Sequence, residues 1–111
     1  MKTPLQISFH GLHRSDALAE TIREKAQGLD RYYDHIMGCR VVLELAGRHQ
    51  HQGKEFVAKI DLKVPGSEIA VTHQHAEDPQ VALHQAFDAV RRRLEDYARV
   101  QRGDVKRHGV K

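Results

Sequence analysis

Apolar residues recur in this chain with a period of two in four stretches and of three to four in two others. Leu5-Gln6-Ile7-Ser8-Phe9 alternates and predicts a strand that Gly11 ends. Ser15 can cap the helix that follows, and Asp16 places negative charge in its first turn. Leu18, Ile22, Leu29 and Tyr33 form the apolar stripe of that helix. Gly28 weakens it by about 1 kcal/mol relative to alanine. Cys39, Val41, Leu43 and Leu45 alternate with Arg40, Val42 and Glu44 in a second strand. Gly47 to Gly53 reads as a polar turn. Phe56, Ala58, Ile60, Leu62 and Val64 then alternate with Lys59, Asp61 and Lys63, giving one buried and one wet face. Pro65-Gly66 signals a tight turn, and Ile69 and Val71 mark a fourth strand. The facing of Ala70, Thr72, His73 and His75 stays open.

The last element is the longest. Asp78 caps it and Pro79 takes its first position, where a missing N–H costs nothing. Leu83, Phe87, Val90, Leu94 and Tyr97/Ala98 make its stripe, and Gly103 is a natural stop. The order β-α-β-β-β-α implies a two-layer α+β domain: a four-stranded, mostly antiparallel sheet with two helices on one face. Strands two to four should form a meander. The helical connection allows strand one to run parallel to strand two through a right-handed crossover.

The 111 residues suit one domain with a real core. A 30% charged and 40% hydrophobic composition reads as globular, and no run approaches the ~20 apolar residues of a membrane span. The N-terminus lacks a signal-peptide apolar segment, and the single Cys39 suits a reducing compartment, so a cytoplasmic location is expected. Cys39 itself reads as a small buried hydrophobe. Net charge is +3, unevenly spread. Residues 1–98 hold 13 Lys/Arg against 14 Asp/Glu, while residues 99–111 hold five basic residues against Asp104 alone. Residues 103–111 are expected to form a basic, flexible tail after a domain spanning 1–102.

Nine histidines raise the question of a metal. His49-Gln50-His51 and His73-Gln74-His75 each place two imidazoles at strand spacing, but no third ligand has a familiar spacing, so no metal or other cofactor is expected. There is no Gly-rich phosphate loop, GxSxG or Cys–His frame, and the carboxylates fit caps and helix surfaces, so neither catalysis nor a small-molecule substrate is expected.

The arginines of the last helix are the stronger lead. Arg92 and Arg99 lie opposite the apolar stripe. Arg91 and Arg102 share one flank with His84, and Arg93 shares the other with Ala82, Ala86 and Ala89. Asp88 and Glu95 stand four residues before Arg92 and Arg99, so a solvated face of ion pairs is the plain alternative. Guanidinium groups suit bidentate phosphate contact, and more basic residues continue into the tail. Trp is absent and the few aromatics fit the core or its edge, which favours backbone and shape recognition of folded RNA over base stacking on the sheet.

The stretches SDALAETIREKAQGLDRYYDHI and AEDPQVALHQAFDAVRRRLEDY, with the meander between them, resemble the ribosome hibernation-promoting factor and ribosome-associated inhibitor family. The resemblance covers about residues 5–102. It implies a β-α-β-β-β-α fold and binding to the small ribosomal subunit and its ribosomal RNA. The implied place is the channel where mRNA and tRNA pass, so that the protein blocks translation and protects idle ribosomes under stress. Basic residues of both helices carry the contacts in that family. By position Lys25, Arg31 and Arg92 match best, with Arg91 and Arg93 beside them, and Arg99 and Arg102 extend the set. Relatives usually have lysine where Ala89 stands and near Gly28, and Glu95-Asp96 occupy ground that is often basic. The ending resembles a branch whose members often continue into a cold-shock domain. These 111 residues include neither that domain nor the dimerisation domain of long hibernation factors, so ribosome pairing by the latter is not expected. The alternatives are a general structured-RNA-binding module of similar topology, and a metal- or partner-binding stress protein built on the HQH pairs.

Overall fold

A computed structural model describes residues 4–49 and 53–103, with the side chains of 46–49, 53–54 and 73–75 outside that description. The strands are β1 (Leu5–His10), β2 (Gly38–His49), β3 (Gly53–Val64) and β4 (Ser67–Ala76). The helices are α1 (Asp16–Gly28), continued by a 3₁₀ turn at Leu29–Arg31, and α2 (Pro79–Arg102). The sheet order is β1-β2-β3-β4. β1 pairs with β2 in parallel, as the helical connection allows, and the other two pairs are antiparallel, as expected of a meander.

The caps follow their local chemistry. Ser15 Oγ accepts from the Leu18 N–H at 3.2 Å and Asp78 Oδ1 from the Gln80 N–H at 2.8 Å. Gly103 closes α2 in a left-handed conformation, with φ 79°, and its N–H reaches the carbonyls of Arg99 and Val100. α1 ends earlier than its stripe suggests. Leu29 belongs to the tighter 3₁₀ turn, and Tyr33 lies beyond it in the chain that leads to β2. The turn re-aims the chain so that Leu29 still enters the core while Tyr32 and Tyr33 pack on its edge.

The core lies between the helices and one face of the sheet. Val41, Leu43, Ile60 and Leu62 from the sheet meet Ile22, Leu83, Val90 and Leu94 from the helices, all fully buried. Each such side chain contributes roughly 1.5–3 kcal/mol of transfer free energy. α2 packs over β3 and β4, and α1 packs beside it and against β1. Ala82 and Ala86, expected on a flank, are fully buried: small residues let α2 approach the sheet closely.

Two features were not readable in the strand pattern. The β2–β3 hairpin is longer than its alternation, with pairing that reaches His49 opposite Gly53, so much of the expected polar turn is strand. In β4 the register steps between the Ala58–His73 and Phe56–Ala76 pairs. One extra residue there brings Ala76 opposite Phe56 and into the core. Ala70 and Thr72 are exposed on the far face. That face is not uniformly wet, because Val57 in it is buried while Lys59 and Lys63 are exposed.

Candidate nucleic-acid interface

The seven cations expected to meet RNA divide by the flank of the helix layer on which they stand. Lys25, Arg31 and Arg91 line one groove between α1, its 3₁₀ extension and α2, with a volume of about 280 Å³. Glu24, Leu29, Tyr32, His84, Phe87 and Asp88 share its walls. A second depression, of about 500 Å³, adjoins it through Arg31 and Tyr32 and ends at Gln101 and Arg102. Lys25, Arg91, Arg31 and Arg102 therefore border two adjoining hollows on one side of the molecule.

The helical spacing explains the α2 contribution. His84 and Arg91 are two turns apart on one flank of α2, which faces the C-terminal half of α1. Lys25 Nζ lies 3.3 Å from His84 Nδ1, joining the two helices across the groove. Arg91 sits over the Tyr32 ring, 5.8 Å from its centroid. The arginine also donates to Asp88 at 2.8 Å and to Glu95 at 3.2 Å. Arg92 donates to the other oxygen of Asp88 at 2.6 Å.

The hydrogen bond from Arg91 holds the Asp88 carboxyl below its usual range, with the Arg92 charge acting in the same direction. The same bond raises the Arg91 pKa above the usual guanidinium value. Asp88 is thus a carboxylate shared by two arginines. The ion pairs differ from the spacing-based expectation in one respect: Glu95 serves Arg91, and Arg99 pairs with Asp96 instead.

Lys25 and Arg31 are in a different state. Neither has an acidic partner among the described residues. They are open to an incoming anion without first breaking an ion pair.

Arg92, Arg93 and Arg99 are not gathered with the groove. Arg92 is 64% exposed on the outer face of α2, and Arg99 is paired on that helix with Asp96. Arg93 is on the opposite flank, where its guanidinium donates to the Ala70 carbonyl of β4 at 2.6 Å. Tyr97, one turn later, donates to the Pro65 carbonyl.

Tyr32 and His84, which touch Arg91 and Lys25 in the groove, are not among the cations that the sequence nominates. His84 was legible as a flank neighbour of Arg91. Tyr32 had no periodic signal, because it follows a 3₁₀ turn whose geometry the helical stripe does not forecast.

Among the described residues no cluster of three or more His, Cys, Asp or Glu is placed to hold a metal, and no helix is long and apolar enough to cross a membrane. The imidazoles of both HQH pairs, and the chain beyond Gly103, lie outside the described residues.

Residues 5–102 match the family described as sigma 54 modulation protein / S30EA ribosomal protein. The ribosome hibernation promotion factor of Deinococcus radiodurans is 30% identical over 92 residues, 83% of this chain and 47% of that protein. The chain thus spans about half the length of that relative. The ribosome hibernation promoting factor of Azotobacter vinelandii is 29% identical over 90 residues, 81% of this chain and 78% of its own. Among solved structures, the N-terminal domain of Thermus thermophilus Protein Y superposes with a TM-score of 0.72 at 26% identity, over 86% of this chain and 99% of that one. A ribosomal subunit interface protein from Coxiella burnetii shares the fold, with a TM-score of 0.70 at 19% identity over 86% and 97% of the two chains.

Proposed function

The chain belongs to the sigma 54 modulation protein / S30EA ribosomal protein family, and from that premise we propose that it is a ribosome-associated inhibitor of translation. It binds the small ribosomal subunit through ribosomal RNA, in the channel that mRNA and tRNA use, and shields idle ribosomes under stress. The mechanism is steric occupation. No bond is made or broken.

The observation that carries this reading is the groove. Three cations from two helices, Lys25, Arg31 and Arg91, line one hollow, and two of them have no acidic partner among the described residues. A phosphate entering there meets ammonium and guanidinium donors from both walls. Tyr32 backs Arg91, with the guanidinium carbon 5.8 Å from the ring centroid. Because α1 and α2 are packed on one sheet, the spacing of these donors is preset, which lowers the ordering cost of binding.

Charge alone supports only modest affinity. The five arginines of α2 share the helix with Asp88, Glu95 and Asp96. Binding therefore depends on matching phosphate positions more than on a strong positive field.

Displacement of a fluorescent mRNA from purified small subunits tests the proposal. The protein should release the mRNA in a saturable manner, and a Lys25/Arg31/Arg91→Glu variant should not. Simultaneous binding of mRNA and protein would refute channel occupation.

A further inference from the structure

Asp88 holds two arginines of α2 at once, and phosphate binding does not require it. Its two oxygens hold two guanidinium groups, Arg91 at 2.8 Å and Arg92 at 2.6 Å. Glu95 adds a second hold on Arg91 at 3.2 Å. A carboxylate receiving two arginines in this way presents the charge and acceptor geometry that a phosphate would.

Resting on the phosphate-binding reading of the groove, we propose that Asp88 is a specificity-determining residue: an internal stand-in for phosphate that keeps Arg91 and Arg92 from binding RNA indiscriminately. An arbitrary RNA duplex that approaches α2 meets two guanidiniums already satisfied. To engage them it must exchange one anion for another, which gains little and releases few counterions. A target whose phosphates also match Lys25 and Arg31 is held first by those two cations, neither of which has an acidic partner among the described residues. Arg91 then needs only a local swing from Asp88 to a phosphate that is already in place. Asp88 thus weakens binding to generic RNA more than to a fitted surface, and so supplies specificity through the contact it withholds.

The experiment compares wild type with Asp88→Asn, Asp88→Glu and Glu95→Gln. Each is titrated at several salt concentrations with a 20-base-pair duplex RNA and with purified small ribosomal subunits. Asp88→Asn should bind the duplex roughly three- to tenfold tighter, the range expected when exposed ion pairs cease to compete. Its affinity should also fall more steeply with salt, by about 0.7–0.9 in log–log slope for each guanidinium freed. Glu95→Gln, which frees only one hold on Arg91, should show a smaller gain. Asp88→Glu should restore wild-type behaviour, which a purely structural role in α2 would not require. On small subunits the gain for Asp88→Asn should be distinctly smaller than on duplex.

Equal duplex affinity and equal salt slope for wild type and Asp88→Asn would overturn the proposal. So would an equal gain on both targets. If wild type failed to bind small subunits, the ribosomal reading would fall, while the duplex titration would still decide the role of Asp88.

Discussion

The Arg93 guanidinium donates to the Ala70 carbonyl at 2.6 Å and so ties the middle of α2 to β4. β4 is an edge strand of the sheet, and an edge carbonyl is a ready acceptor for another chain. Arg93 is therefore engaged in holding the two layers together, although it sits in a run of three arginines that resembles an RNA-binding patch. Replacing Arg93 by alanine should lower stability by about 0.5–1 kcal/mol, a fall of roughly 2–6 °C in Tm. Binding to small subunits should change less than twofold. Thermal melting and a binding titration check the two halves of this expectation.

Gly28 is in regular helical backbone, and a Cβ there would meet only the end of the Arg31 side chain, at 3.4 Å. The unfolded chain gains freedom from this glycine and the helix gains nothing. Gly28→Ala should raise stability by about 0.5–1 kcal/mol, measured by urea unfolding.

Gly11 is the opposite case. Its φ is +79°, and a Cβ would lie 2.8 Å from the Leu45 carbonyl oxygen of β2. Backbone cannot yield there as a flexible side chain can. Gly11→Ala should cost about 2 kcal/mol or more, and the same substitution at Gly66, where φ is +74° and the space is open, should cost about 1 kcal/mol. Parallel urea titrations of the two variants give the comparison.

Much of this architecture was legible in the sequence. The period-two runs, the Asp78-Pro79 start and the Gly103 stop all led to the observed elements, because each is set by local chemistry. The groove was legible only in part. His84 and Arg91 share a flank by helical spacing, but nothing in the spacing says that this flank faces Lys25. The fate of Arg93 depends on an acceptor 23 residues away in β4. The bulge before Ala76 followed from pairing register, which alternation within one strand does not encode.

Burial pushes the Cys39 thiol up to about 12, with the Asp61 charge acting in the same direction. A group whose pKa is raised by folding stabilises the native state fully below its unfolded pKa. That contribution is lost as pH rises from about 9 towards 12, at about 1.4 kcal/mol per pH unit. Stability should therefore decline across this window, and Cys39→Ala should flatten the decline. At pH 8 the native thiol should resist a thiol reagent until urea unfolds the chain.

On the proposed function, binding belongs to the groove rather than to basic residues at large. Sedimentation with small ribosomal subunits through a sucrose gradient tests it most directly. Wild type should run beside two charge-reversal variants, Lys25/Arg31/Arg91→Glu and Arg92/Arg93/Arg99→Glu, whose nominal charge change is the same. Wild type should co-migrate with the subunit, the first variant should stay at the top, and the second should be largely retained. Equal loss in both variants would show that bulk charge, not the groove, does the binding. Wild type remaining at the top would contradict the ribosomal function itself.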